Sequence, residues 1–199
     1  MVEDDDVWFD CHEDDLWIFD KLILSRKLGY VCGPIDAYVP KPNYYIVRPC
    51  VNPAGMGRGA TIEYIEKDTD HLPVGYFWCE IFIGRHLSID YYYGNQKLVT
   101  EGFRSKDNPL WKFDKWIRVD DEIIYPDILN ELKGNYPTIN CEFIGGNLIE
   151  VHLRANEEMG DYDEIIPVWK DEPLDLKLGY DYVDHPDYHG RVGFFKKRF

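Results

Sequence analysis

The sequence predicts an α+β fold built mainly from antiparallel strands, and three observations carry that expectation. Within residues 140–152, Gly145-Gly146 stands between Phe143-Ile144 and Leu148-Ile149, the pattern of a hairpin tip. Tyr44-Tyr45-Ile46-Val47 and Thr61-Ile62-Glu63-Tyr64-Ile65 are aromatic and β-branched runs separated by a segment with glycines at 55, 57 and 59, which reads as strand, glycine loop, strand. Helical periodicity is confined to two short stretches.

The first helical pattern combines Leu16-Trp17-Ile18-Phe19 with Leu22-Ile23-Leu24. It stops at Gly29 and Gly33-Pro34, with Arg26 and Lys27 in the last turn, where positive charge suits a helix C-terminus. Strands then dominate from Tyr44 to Val99. A second short helix is expected over 126–133, with Pro126 early and Gly134 just past its end, delivering the chain into the Gly145-Gly146 hairpin. Beyond Asn156 the chain turns acidic at 157–163 and then gives three strand candidates, Ile165-Ile166-Pro167-Val168-Trp169, Gly179-Tyr180-Asp181-Tyr182-Val183 and Val192-Gly193-Phe194-Phe195, expected at the sheet edge. No internal repeat or low-complexity linker divides the chain, so 1–199 reads as a single compact domain.

Composition narrows the function classes. The 199 residues are 45% hydrophobic and 16% aromatic, with no apolar run near the eighteen or so residues that mark a membrane span. The start, Met1-Val2-Glu3-Asp4-Asp5-Asp6, is acidic where a signal peptide would be basic and then apolar, and the five cysteines show no paired short spacing. Both point to reduced thiols and a cytoplasmic protein. A net charge of −15 argues against nucleic acid as the main partner. The basic run Lys196-Lys197-Arg198 reads as a solvated tail. His185 and His189, beside Asp184 and Asp187, have no diagnostic ligand spacing and read as surface residues.

Two constellations carry chemistry. Glu142 and Glu150 lie eight apart across the hairpin turn, where they can face each other on adjoining strands. Two carboxylates held that close repel unless something positive lies between them, and Mg²⁺ takes a few carboxylate oxygens and leaves its other positions to water and phosphate. The glycine loop supplies the complement. Its backbone N–H groups can approach phosphate oxygens, and Arg48 at the strand end adds a permanent charge with forked donors. A lone loop of this kind is more often a ligand-free turn.

Taken in order, these segments resemble the ATP-grasp superfamily, and within it the glutathione synthetase type. Arg48-Pro49 followed by Gly55-Met56-Gly57-Arg58-Gly59-Ala60-Thr61-Ile62 is similar to that family's Lys-Pro and Gly-Met-Gly-Gly flap. Trp78-Cys79-Glu80-Ile81-Phe82-Ile83-Gly84-Arg85-His86 resembles its adenine-binding hinge, with His86 where a ribose-binding Glu is usual. Arg104 falls at the place of a phosphate-binding Arg, and Glu142, Glu150 and His152 resemble the Asp, Glu and Asn metal ligands.

The resemblance covers residues 20 to 156. It implies two small α+β lobes with mainly antiparallel sheets clasping a nucleotide: a flap lobe over 16–78, an adenine and metal lobe over 79–156, and a C-terminal extension over 157–199. The implied activity is ATP-dependent ligation of a carboxylate to an amine or thiol through an acylphosphate. ATP would be held by Arg48, Gly55, Met56, Gly57, Gly59, Glu80, Ile83 and His86, and Mg²⁺ by Glu142, Glu150 and His152, with Mn²⁺ as an alternative because imidazole suits softer metals. Arg104 would stabilise the transferred group, and Arg154, two past His152 on the same strand face, would hold a substrate carboxylate. The acceptor substrates are not specified.

The departures keep other readings open. Arg48 stands for Lys, His86 for an acid and His152 for Asn, and the family's usual N-terminal domain is missing. That domain is dispensed with, replaced by the last 40 residues, or supplied by a second copy or a partner chain. The alternatives to a ligase are a nucleotide-binding or interaction module that has lost catalysis, and a structural, aromatic-rich sheet protein with an accidental match.

Overall fold

The computed structural model describes residues 4–52 and 56–199, and of residues 4–6 the backbone only. The chain opens with helix α1 (Asp4–Asp10), a 3-10 helix (Glu13–Phe19) and helix α2 (Lys21–Lys27). Strands β1 (Cys32–Pro34), β2 (Asn43–Pro49), β3 (Thr61–Ile65), β4 (Tyr76–Cys79), β5 (His86–Tyr92), β6 (Asn95–Phe103) and β7 (Lys115–Arg118) follow. Two 3-10 turns (Asp127–Leu129 and Leu132–Gly134) lead into β8 (Thr138–Ile144), β9 (Asn147–His152), β10 (Glu164–Trp169), β11 (Asp181–Tyr188) and β12 (Arg191–Lys197).

The single helical pattern expected near the start is broken at Asp20. Its carboxylate accepts from the backbone N–H groups of Leu22 and Ile23, at 2.9 and 3.0 Å, and so caps a new helix. The helix expected over 126–133 is instead two 3-10 turns, with Pro126 in extended backbone as the cap of the first. The basic run near the end is not a loose tail: Lys196 and Lys197 belong to β12.

The strands form two sheets, both antiparallel throughout. One has four strands in the order β1-β4-β2-β3, and the other has eight in the order β11-β12-β10-β7-β6-β5-β8-β9. The three C-terminal strands therefore extend the large sheet beyond β7, at the edge where the sequence put them.

Period-two alternation decides which face of the large sheet is core. Leu87, Ile89 and Tyr91 of β5 and Ile139, Cys141 and Phe143 of β8 face the main hydrophobic core, which α2 and the 3-10 segments cover through Leu24, Ile18, Leu129 and Leu132. The alternate residues, His86, Ser88 and Asp90 on β5 and Asn140, Glu142 and Ile144 on β8, face a cleft. The small sheet repeats this arrangement. Tyr45 and Val47 enter a core with Trp78 and Ile65, while Ile46 and Arg48 turn to the cleft.

Candidate functional site

The cleft between the two sheets has a volume of about 770 Å³, in the upper part of the range usual for small-molecule sites, ~300–1,000 Å³. It is lined by the link between β4 and β5, residues 80–85, by Met56 and Gly57 of the glycine loop, and by Trp169 and Arg191 of the C-terminal strands.

Glu142 and Glu150 are register partners on β8 and β9. A regular two-residue hairpin on Gly145-Gly146, which pairs Ile144 with Asn147 and Phe143 with Leu148, would put Glu142 opposite Ile149. The register instead shifts after Glu142/Phe143, leaving Ile149 as the extra residue of a β-bulge. The bulge lets Leu148 and Val151, three apart, both reach the core while Glu150 turns to the cleft. It also leaves the Ile149 carbonyl to accept from Nη2 of Arg48 at 3.0 Å.

Around these carboxylates the charges are closely balanced. The Glu150 Oε1 atom lies 3.1 Å from Nζ of Lys21, accepts from Nδ2 of Asn52 at 3.0 Å, and lies 3.6 Å from Nε2 of His152. Glu142 meets His86, Oε2 to Nε2 at 3.1 Å, and its Oε1 lies 4.0 Å from Nε2 of His152. Burial alone would raise the Glu142 carboxyl, but the His86 hydrogen bond and the charges of His86, His152 and Lys21 outweigh it and hold the carboxyl at about 2. Among the described residues, no group of three or more His, Cys, Asp or Glu side chains is disposed as a metal-holding cluster. What stands in the cleft is a pair of carboxylates with an imidazole beside it, a donor set that fits a divalent ion completing its shell with phosphate and water oxygens.

The other expected residues fall as follows. Arg48 is buried, its guanidinium 5.2 Å from the Phe77 ring centroid, and its Nε has no hydrogen-bond partner. Gly55 lies outside the described residues. Met56 and Gly57 line the cleft with φ of 52° and 66°. Gly59 is packed away from it, since a Cβ there would lie 2.5 Å from the Tyr76 hydroxyl. Glu80 lines the cleft while its Oε1 accepts from the Val31 N–H at 2.8 Å. Ile83 is 90% exposed at the cleft mouth. His86 stacks edge-on against Phe113 and Trp116, at 5.0 and 5.5 Å between centroids.

Arg104, beyond the end of β6, lines the cleft and donates to the Asn108 carbonyl at 3.0 Å. Arg154 also lines it, but from a bend beyond β9 and not from the strand face expected. That bend is fixed by Asp90, whose Oδ1 accepts from Nδ2 of Asn140 and from the Asn156 N–H at 2.8 and 2.9 Å, while burial pushes its carboxyl up.

The sequence reading singled out neither the aromatic residues Trp111, Phe113 and Trp116 nor the polar residues Lys21, Asn52, Glu158 and Arg191 of the cleft. Lys21 is 4% exposed at the first position of α2. Its signal was present, because a lysine immediately after an acidic cap opposes the helix dipole and needs a partner elsewhere. Asn52, Glu158 and Arg191 carried no comparable signal.

No family model matches the chain, and no curated protein does either. Solved structures do. A provisionally assigned ATP-grasp superfamily protein of Archaeoglobus fulgidus shares 13% identity over 90% of this chain and 63% of its own, with a TM-score of 0.47. The L-amino acid ligase of Bacillus licheniformis shares 11% identity over 90% of this chain and 66% of its own, with a TM-score of 0.50. The ATP-grasp ligase PsnB, solved with a minimal precursor, shares 13% identity over 69% and 52%, with a TM-score of 0.41. The chain thus spans less than two thirds of the length of the first two. The likeness is one of fold, and the fold is ATP-grasp-like.

Proposed function

We propose that the cleft binds ATP between the two sheets and that the protein ligates a carboxylate to an amine. The observation that carries this reading is the meeting of two buried cations, Lys21 and Arg48, with the facing carboxylates Glu142 and Glu150 beneath a glycine loop. A polyphosphate needs local positive charge in a chain whose net charge is −15. The orphaned Nε of Arg48, buried against the cleft, supports an anion there, because an unmade buried hydrogen bond costs about 1–3 kcal/mol.

In this assignment the adenine lies along residues 80–84, and the phosphates lie under Met56 and Gly57 facing Lys21 and Arg48. Glu142 and Glu150, with His152 alongside, would hold Mg²⁺, which when bound supplies neutralisation of phosphate charge. Transfer of the terminal phosphoryl group to a substrate carboxylate releases ADP. Attack of an amine on the acylphosphate then forms the amide and releases inorganic phosphate. The residues of this chain bind, orient and shield charge: Arg104 at the transferred group and Arg154 at the substrate carboxylate. The lobes divide in this reading as 16–78 and 79–156, with the C-terminal strands of 157–199 lining the cleft. We assign the protein to the cytoplasm on its acidic charge and unpaired cysteines. Among the described residues, no helix is long and apolar enough to cross a membrane.

Thermal shift with Mg-ATP tests nucleotide binding, and ADP release that requires both an added carboxylate and an added amine tests ligation. A raised melting temperature without such release would favour a nucleotide-binding module that does not turn over, a reading helped by the His86 contact that engages one carboxylate of the metal pair. No shift with ATP removes both.

A further inference from the structure

The end of the cleft lined by the C-terminal strands contains a second polar constellation that nucleotide binding does not use. Arg191 opens β12 opposite Trp169 in register and is 6% exposed. Its two terminal nitrogens donate to the Glu158 carboxylate, Nη1 to Oε2 at 3.2 Å and Nη2 to Oε1, and its guanidinium lies 4.7 Å from the Phe194 ring centroid. Both members of this pair line the cleft. The third donor, Nε, is buried without any acceptor, a state that an incoming oxygen would relieve. Beside the pair runs an apolar wall: Ile165, Pro167 and Trp169 lie on the cleft face of β10, and Trp116 of β7 faces Ile165 in register.

The glycine loop reaches the same end. Arg58 stacks on Trp111 at 4.0 Å from the ring centroid and donates to the His189 carbonyl, two residues before Arg191. A ligand against Arg191 would therefore lie under the loop assigned above to the phosphates.

We propose that this end of the cleft is a subsite for a zwitterionic α-amino acid with an aromatic or large apolar side chain. Its carboxylate accepts from Arg191, including the orphaned Nε; its ammonium pairs with Glu158; its side chain lies on the Trp116 and Trp169 wall. Charge selects this class over the alternatives. Glu158 holds both terminal nitrogens of Arg191, and Lys196, which donates to the Glu158 backbone carbonyl, adds a second cation beside the pair; a phosphate entering there would meet the Glu158 carboxylate, whereas a zwitterion meets Arg191 and Glu158 with the opposite sign at each end. The inference rests on the ligase reading for its role, since the amino acid would be a partner in ligation, but its binding is measurable with no nucleotide present.

The test is calorimetric titration of the full chain with L-phenylalanine and L-tryptophan, then with phenylacetate and phenethylamine, which each lack one charged group. The amino acids are expected to bind at least about tenfold more tightly than either analogue, about 1.4 kcal/mol at 25 °C. Arg191→Met combined with Glu158→Gln removes both charges without stranding one, and should lose that preference while the response to Mg-ATP persists. The ligand series on the unaltered protein carries the test even where the double variant does not fold. Binding of phenylacetate as tight as that of phenylalanine, unchanged binding in the double variant, or no amino-acid binding in a protein that Mg-ATP stabilises would each overturn the subsite. Amino-acid binding without any ATP response would leave the subsite standing and remove the ligase reading.

Discussion

Glu142 shows how a single residue comes to be anionic in a half-buried place. Desolvation opposes its charge, and His86, His152 and Lys21 together overcome it, taking the carboxyl from its ordinary 4.5 to about 2. Because the folded value is depressed, Glu142 contributes stability that is fully present above about pH 4.5 and is lost as pH falls toward 2. Replacing His86 by Ala removes the largest favourable contact and leaves the desolvation. The variant should be less stable near pH 6 by on the order of 2 kcal/mol, and its stability should fall less steeply between pH 4.5 and 2. Denaturant unfolding across that pH range, compared with the unaltered protein, checks both; identical acid limbs would mean that His86 does not set the charge of Glu142.

The same residues show what could be read from the chain. Two acids brought close across a Gly-Gly turn were legible from spacing and turn chemistry, but their direct facing depends on the bulge at Ile149, since a regular two-residue hairpin would pair Glu142 with Ile149. The partners of those acids were not, because Lys21 arrives from 129 positions before Glu150 and Asn52 from 98 before it, distances that no local pattern spans.

At the scale of elements, the alternation that sorts core from cleft on β5 and β8 is plain in the sequence, and so were most strands of both sheets. The bulge at Ile149 was legible only in part. Leu148, Val151 and Leu153 cannot share one face of a regular strand, yet a slipped register would explain that pattern equally well. The 126–133 segment misled because Pro early and Gly late are helix signals that also suit two successive turns. The hinge and the hairpin are coupled by backbone. Gly145 donates to the Arg85 carbonyl at 3.0 Å, and a Cβ on Gly145 would lie 2.2 Å from the Ile83 carbonyl oxygen. Gly145→Ala must therefore move the segment assigned to adenine, and should cost about 3 kcal/mol or more. Gly146 has φ of 83° but open space around its Cβ position, so Gly146→Ala should cost only about 1 kcal/mol. Chemical denaturation of the two variants gives the comparison, and equal losses would show that close approach to the hinge does not matter.

Across the whole molecule, the two sheets have separate cores and are joined at the cleft by polar contacts: Asn52 to Glu150, Arg48 to the Ile149 carbonyl, and Lys21 to Glu150 by way of helix α2, whose Leu22 packs with Phe77 and Cys79 of the small sheet. A sequence cannot disclose such ties, since each joins segments whose own patterns are complete without the other. The energetics of a buried pair make them testable. Lys21→Met should destabilise the protein by about 3 kcal/mol, because it leaves the Glu150 carboxylate buried without its ammonium, whereas removing both partners of a buried pair is often close to neutral. Lys21→Met with Glu150→Met should therefore recover most of that loss, and the cycle built from the two single variants and the double should give a coupling well above the scatter expected of independent sites, about 0.3–0.5 kcal/mol. Stability and nucleotide response should then part company: the double variant folds, yet it lacks both a phosphate-facing cation and a metal-facing carboxylate, so Mg-ATP should no longer raise its melting temperature. A double variant that still responds to Mg-ATP would show that the Lys21–Glu150 pair only ties the sheets together, and the phosphate assignment would pass to Arg48 alone.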